Sequence, residues 1–203
     1  MFFWICFIIA FLPLTIIFPI KKVGKKNIKI LKGKNYIIAC NHMSNLDPVM
    51  MDIKMCQKFR FLAKKELFSN WFNSLVLKGF GAIPVDRSKA DVKAIKQVMR
   101  VIEKNKNVCI FPQGTRKTTR QIEDGSAKEG VAMFAIRTNT PVVPMMYSDK
   151  IRAFKRVKLI IGEPIFPDES KKKDKDYLVE FSNLITRKMN ELLGENKNEN
   201  ERF

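Results

Sequence analysis

Short apolar segments alternate along the chain after Gly33 with longer segments in which apolar residues recur every three or four positions. This alternation predicts an α/β domain with a largely parallel central sheet flanked by helices. The predicted strands are short and rich in β-branched and aromatic residues; they are Tyr36–Cys40, Phe59–Ala63, Ala82–Val85, Val108–Phe111, Val142–Met146 and Val157–Ile161.

Two amphipathic helices follow from the same pattern. The first has apolar residues at helical spacing, and Ser88 with Asp91 forms a possible capping box at its start. Its apolar positions are Val92, Ile95, Met99 and Ile102. The second is expected to end at Gly194. Its apolar positions are Leu178, Phe181, Ile185, Met189 and Leu192.

The first twenty residues, Met1–Ile20, carry no charge and, as a helix, would reach roughly 30 Å, about the thickness of a bilayer core. We therefore expect residues 1–20 to form a membrane helix and residues 21–203 to form the α/β domain. The lysines that follow place this domain on the cytoplasmic side of a cell membrane. Because Pro13 and Pro19 can kink the helix, a re-entrant or interfacial helix is an open alternative.

The net charge is +18, from 38 Lys and Arg against 20 Asp and Glu. Such a chain favours anionic partners, which include nucleic acid, acidic lipid and phosphorylated substrates. Nucleic acid is disfavoured because the aromatic residues are mostly Phe within apolar segments rather than exposed among basic residues. The four cysteines, Cys6, Cys40, Cys56 and Cys109, are widely spaced, so we expect buried, reduced thiols and no metal site.

Polar residues follow three of the predicted strands at the point where each strand ends. His42, the only histidine, follows the first strand and is followed by Asp47; Asp86 and Arg87 follow the third; Gln113 and Arg116 follow the fourth. Ligands of open α/β sheets bind beyond the carboxyl ends of the strands, so these side chains are expected to meet in one crevice.

Asp47 has two possible roles. Because Pro48 follows it, Asp47 is a candidate helix N-cap with proline at the first helical position. Its carboxylate can also accept a hydrogen bond from one nitrogen of His42, leaving the other nitrogen as a base. The two roles are compatible.

At these residues the chain resembles the 1-acylglycerol-3-phosphate acyltransferases. His42 and Asp47 match that family's histidine–four residues–aspartate signature, and the segments 81–87 and 111–116 resemble its second and third blocks. Val143-Pro144 resembles the fourth block, while Lys65-Glu66-Leu67 and Lys128-Glu129-Gly130 fall where related elements are usual. The third block normally carries glutamate where this chain has Gln113, which retains hydrogen bonding but not charge.

The resemblance implies transfer of a fatty acyl group from a thioester donor to 1-acylglycerol-3-phosphate (lysophosphatidic acid), giving phosphatidic acid. His42 would be the general base and Asp47 its partner. The residues expected to bind substrate are Arg87, Arg116, Lys65, Lys128, Gln113, Gly114 and Thr115. Backbone N–H groups near Gly114 would stabilise the oxyanion. No enzyme nucleophile is needed, and Cys40 is interpreted as strand core.

The donor is either acyl-coenzyme A or acyl carrier protein. Both are polyanionic, so the positively charged chain would attract either one. No cofactor and no metal are expected, and membrane lipids are expected partners. The alternatives are an acyltransferase for another lysophospholipid, or a non-catalytic membrane-surface protein that binds anionic lipids.

Overall fold

The protein, described by a computed structural model, is built on one seven-stranded sheet with helices on both faces. The structure describes residues 11–86, 91–114, 116, 122 and 129–200. The strands are β1 (Ile20–Val23), β2 (Ile37–Cys40), β3 (Arg60–Lys64), β4 (Ala82–Val85), β5 (Val108–Ile110), β6 (Val142–Tyr147) and β7 (Val157–Ile161). Their order across the sheet is β1-β7-β6-β2-β5-β3-β4.

Every neighbouring pair of strands is parallel except β6 and β7. The helices are α1 (residues 11–17), α2 (Lys26–Lys29), α3 (Asp47–Met55), α4 (Trp71–Gly79), α5 (Val92–Glu103), α6 (Gly130–Thr138) and α7 (Lys175–Asn200), with 3₁₀ turns at Lys65–Phe68 and Glu169–Lys171. The predicted class, a largely parallel sheet flanked by helices, is confirmed, and each of the six predicted strands is present.

Alternate residues of the strands feed two separate apolar cores. Ile38 and Cys40 of β2 belong to the core that also receives residues of α1, α3 and α4. Ile37 and Ala39 belong to the core beneath α5, α6 and α7. Because β2 is covered on both faces, its four residues are all buried, which explains the continuous apolar segment in the sequence.

Two helix boundaries differ from the predicted ones. Asp91 itself caps α5, since its side chain accepts a hydrogen bond from the N–H of Ala94; Ser88 lies outside the described residues. Helix α7 does not end at Gly194 but continues to Asn200. Glycine in a helix interior costs only about 1 kcal/mol relative to alanine and ends a helix mainly where it adopts a left-handed conformation. Gly194 does not have a positive φ, so it does not end the helix.

The N-terminal segment divides between a helix and the sheet. Residues 11–17 are helical, whereas Ile20, expected as the last residue of a membrane helix, begins β1 and pairs with Val157. Phe11 and Leu14 pack on the core, while Leu12 and Ile16 are 65% and 63% exposed. Within the described part of the chain, no helix combines the length and apolarity needed to cross a bilayer. Residues 1–10 lie outside the described residues.

Candidate active site

The loop between β2 and α3 brings the imidazole of His42 against the carboxylate of Asp47. Nδ1 of His42 lies 2.9 Å from Oδ2 of Asp47, and the two side chains are 14% and 1% exposed. The same Oδ2 accepts hydrogen bonds from the N–H groups of Met43 and Ser44, at 2.7 and 2.8 Å. The predicted contact between His42 and Asp47 is therefore present.

This geometry fixes the tautomer of the histidine. A carboxylate oxygen that accepts two backbone N–H groups acts as an acceptor toward Nδ1 as well, so Nδ1 of His42 carries the hydrogen. Nε2 is left with its lone pair, and the partly exposed ring can present it to a substrate hydroxyl.

The carboxylate of Asp47 does not cap the helix that it begins. Asp47 is the first residue of α3, and Leu46 is the capping residue, without a side-chain hydrogen bond to the helix. The predicted N-cap role is thus wrong, because the carboxylate turns back onto the preceding loop. Its position in the first helical turn still favours the negative charge. Among the described residues, Oδ1 of Asp47 has no hydrogen-bond partner although it is buried.

Tyr147 of β6 forms hydrogen bonds with both ends of the loop that carries His42. Its hydroxyl donates to the main-chain oxygen of Asp47 at 3.0 Å. Its backbone N–H donates to Oδ1 of Asn41, and the amide of Asn41 donates back to its carbonyl, at 2.8 and 3.0 Å. Both side chains are fully buried, and burial raises the pKa of the Tyr147 phenol well above its usual value. Asn41, which precedes His42, and Asp47 are therefore both hydrogen-bonded to Tyr147. The sequence did not single out Tyr147.

The turn after β5 supports the imidazole from another side. The ring of Phe111 stacks on that of His42, with centroids 4.3 Å apart. Oε1 of Gln113, a side chain only 6% exposed, accepts a hydrogen bond of 3.3 Å from the backbone N–H of His42. Gly114 closes this turn with a φ of +67°, and its N–H donates to the carbonyl of Phe111. The predicted oxyanion role does not suit the N–H of Gly114, because it is already hydrogen-bonded within the turn.

An apolar cavity of about 250 Å³ begins beside the same phenylalanine. Phe111 lines it together with residues of β3, β5, α5 and α6, and Asp86 and Asp91 are its acidic lining residues. Nζ of Lys65 lies 2.6 Å from Oδ2 of Asp86. A hydrogen bond from the lysine to that carboxylate raises the pKa of Lys65, so the ammonium stays protonated. Phe111 thus contacts the imidazole and also lines the cavity, and Lys65 is paired with a carboxylate of the same cavity lining.

The remaining predicted binding residues are only partly described. Arg116 is exposed, two residues beyond the turn that holds Gln113. Arg87, Thr115 and Lys128 lie outside the described residues, so their predicted roles stay predictions.

The described cysteines are free thiols of two kinds. Cys40 and Cys109 are buried as predicted, and burial raises the pKa of both thiols well above the usual value, which keeps them protonated. The prediction is wrong for Cys56, which is exposed and caps the end of α3 in a left-handed conformation. Cys6 lies outside the described residues.

Most of the chain is similar to proteins of known activity. A family model described as Acyltransferase matches residues 19–148, which include His42, Asp47 and Tyr147. The chain is 32% identical over 185 residues to a 1-acyl-sn-glycerol-3-phosphate acyltransferase of Bacillus subtilis, covering 88% of this chain and 89% of that protein. The chain belongs to the 1-acyl-sn-glycerol-3-phosphate acyltransferase family. The resemblance deduced from the motifs is confirmed.

One further relative agrees with this membership, and one solved structure shares the fold. The chain is 29% identical over 173 residues to the 1-acyl-sn-glycerol-3-phosphate acyltransferase of Streptococcus pneumoniae, covering 82% of this chain and 63% of that protein. The crystal structure of the 1-acyl-sn-glycerophosphate acyltransferase PlsC from Thermotoga maritima superimposes with a TM-score of 0.64 at 23% identity, covering 94% of this chain and 76% of that one. The latter likeness supports the α/β fold.

Proposed function

We propose that this chain transfers a fatty acyl group from a thioester to the free hydroxyl of 1-acylglycerol-3-phosphate, forming phosphatidic acid. The observation that carries the proposal is the hydrogen bond between Nδ1 of His42 and the buried carboxylate of Asp47, which leaves Nε2 as a base. Membership of the family supplies the reaction class.

In this mechanism Nε2 of His42 takes the proton of the acceptor hydroxyl as its oxygen attacks the thioester carbonyl carbon. Asp47 stabilises the imidazolium that forms. When the tetrahedral intermediate collapses, the carbon–sulfur bond breaks, and the imidazolium returns its proton to the departing thiolate. Transfer is direct, and the raised pKa of the buried Cys40 thiol argues against a cysteine-bound acyl intermediate.

The acceptor phosphate is bound by Arg116 and Lys65, with Arg87 and Lys128 as further cations, and the apolar cavity beside Phe111 accommodates part of an acyl chain. The acyl donor is acyl-coenzyme A or acyl carrier protein. The enzyme works at the cytoplasmic surface of a cell membrane, where its lipid substrates reside.

A non-catalytic lipid-binding protein has no use for the arrangement around His42. Three donors converge on one oxygen of Asp47, and the loop is fixed to Tyr147, a degree of organisation that a surface for anionic lipids does not need. Preorganised hydrogen bonds of this kind are typical of a site that stabilises charge during a reaction.

The test is thiol release from acyl-coenzyme A or acylated carrier protein, with 1-acylglycerol-3-phosphate in vesicles. His42→Ala should lower turnover by about a thousandfold or more, because the base is lost. Cys40→Ala is the matched control: it removes the nearby buried thiol and should leave turnover near that of the wild type. Near-normal turnover of His42→Ala would reject the mechanism. Activity with other lysophospholipids but not with 1-acylglycerol-3-phosphate would reject the acceptor.

A further inference from the structure

Four large apolar side chains are exposed together after β3. Leu67, Trp71, Phe72 and Leu75 are 51%, 75%, 58% and 46% exposed. We call these four residues the α4 apolar surface. They lie on the 3₁₀ turn and on α4, between the end of β3 and the start of β4. Isolated exposed hydrophobic residues are ordinary, but a cluster of this size on one short element indicates a contact.

Helix α4 is capped at its start, packs one side against the core and exposes the other side. The side chain of Asn70 caps it by accepting hydrogen bonds from the N–H groups of Phe72 and Asn73. Val76 and Leu77 pack against the core. Trp71 and Phe72 also contact each other edge to face, with centroids 5.9 Å apart. The exposed aromatic residues are thus held in place by a helix that the fold has already fixed.

Lysines flank the α4 apolar surface on both sides. Lys64 and Lys65 precede it, and exposed Lys78 follows Trp71 and Leu75 at helical spacing, on the same side of the helix. Glu66 is the one acidic residue between Lys64 and Lys78. Tryptophan and phenylalanine flanked by lysines suit the boundary between headgroups and acyl chains, where the rings enter the apolar region and the ammonium groups reach anionic headgroups.

The α4 apolar surface also adjoins the candidate active site. It begins two residues after Lys65, which is paired with Asp86 at the cavity. Helix α1, with its exposed Leu12 and Ile16, packs against the same core as α4 and therefore lies on the same face of the sheet. Two helices that expose apolar side chains thus lie on the same face of the sheet.

We propose that the α4 apolar surface is a membrane contact that inserts into the headgroup region of an anionic bilayer beside the active site. It is additional to any contact made by the N-terminal segment. The inference deepens the proposed function, because a lipid acceptor would then reach the site without leaving the bilayer. Membrane insertion is nevertheless measurable without turnover.

A bilayer explains this surface better than a second copy of the chain. Four side chains of these sizes and exposures present on the order of 500 Å², whereas a stable protein interface buries about 800 Å² on each partner. The net charge of +18 further favours an anionic surface and opposes self-association.

Trp71 itself provides the probe, since Trp4 is the only other tryptophan. In the Trp4→Phe variant of the whole chain, tryptophan emission reports on α4 alone. Added phosphatidylcholine vesicles that contain phosphatidylglycerol should shift this emission to the blue, and brominated lipids should quench it. Vesicles of phosphatidylcholine alone should have a weaker effect. Emission that stays unshifted and unquenched while the protein sediments with the vesicles would overturn the proposal. So would a concentration-dependent blue shift without vesicles, which would indicate a second copy.

Phe72→Ala and Phe166→Ala form a matched pair, because the two phenylalanines are 58% and 55% exposed. Phe166 follows Ile165, which pairs with Val142 at the start of β6. Phe166 therefore lies near the amino-terminal end of this strand, whereas the site lies at the carboxyl ends of the strands. Phe72→Ala should weaken partition into anionic vesicles about tenfold, the effect of one large buried side chain. Phe166→Ala should leave partition unchanged. Equal effects of the two substitutions would contradict the assignment.

The catalytic proposal can fail independently of this one. In a His42→Ala version of the single-tryptophan protein, quenching of Trp71 should persist at the wild-type level. Quenching without acyl transfer in the parent protein would leave the membrane contact standing and refute the activity. Acyl transfer without quenching would refute the membrane contact alone.

Discussion

Replacing Asp47 by Asn separates the charge of this residue from its role in holding the loop. In the wild type, the N–H groups of Met43 and Ser44 donate hydrogen bonds to Oδ2 of Asp47. The amide oxygen of Asn can still accept these two hydrogen bonds. It cannot balance the positive charge that His42 acquires during the reaction. If the amide instead turns its NH₂ toward His42, the histidine adopts the other tautomer and Nε2 ceases to be a base.

The size of the effect follows from the geometry. With Nδ1 and Oδ2 2.9 Å apart, the centres of charge of the imidazolium and the carboxylate are about 4 Å apart. At an effective dielectric constant of about 20, two unit charges at that distance attract each other by about 4 kcal/mol. Since His42 is only 14% exposed, solvent screens little of this attraction. Each 1.4 kcal/mol corresponds to a factor of ten, so Asp47→Asn should lower kcat about a thousandfold.

The assay is steady-state thiol release with saturating acceptor, accompanied by thermal unfolding of the same protein. The melting temperature should stay close to that of the wild type, because the loop retains its acceptor. Asp47→Ala is the structural comparison: it leaves the N–H groups of Met43 and Ser44 unpaired and should also destabilise the fold, by about 1–3 kcal/mol. A kcat for Asp47→Asn within tenfold of the wild type, in a normally folded protein, would refute the charge-stabilising role.

Substitutions at three other positions test the surroundings of the pair. Tyr147→Phe leaves the carbonyl of Asp47 without its buried donor and should lower the free energy of unfolding by about 1–3 kcal/mol, measured by denaturant titration. Gln113→Leu removes the acceptor of the His42 N–H and should cost a similar amount, whereas Gln113→Glu keeps the acceptor and should retain kcat within about tenfold. Burial raises the pKa of Asp52 to about 8, so folding holds its proton more tightly than the unfolded chain does. The wild type should therefore lose up to about 1.4 kcal/mol of stability per pH unit relative to Asp52→Asn between pH 4 and 8, in denaturation curves across that range; parallel pH profiles would contradict this.

The strands were predictable because each is a local feature with an apolar pattern of its own. Ala82–Val85 and Val157–Ile161 have the predicted bounds, and the other four differ by one residue at one or both ends. Strand β1 was not predicted. Two of its four residues are lysines, and it exists because Ile20 and Val23 pair with β7, far along the chain. Nothing in the local pattern of so short and basic a segment indicates an edge strand.

The part of the site that depends on local sequence was also predictable. The spacing of His42 and Asp47 is local, and the exit of a buried strand placed both at the carboxyl edge of the sheet. Tyr147, by contrast, lies 106 residues beyond Asn41, to which it is hydrogen-bonded. It ends an apolar strand with no polar signature, so its role depends on β6 lying beside β2, which only the sheet order reveals.

Gln113 illustrates why a departure from a family pattern has to be judged by its contacts. The family usually carries glutamate at this position, and the amide lacks its charge. The observed contact is a side-chain oxygen that accepts the backbone N–H of His42, a role that an amide oxygen and a carboxylate oxygen can both perform. A carboxylate here would place a second buried negative charge near that of Asp47, whereas the amide supports the loop without one. The substitution is therefore compatible with the His42–Asp47 pair, and its consequences should appear in the electrostatics around His42 rather than in the position of the loop.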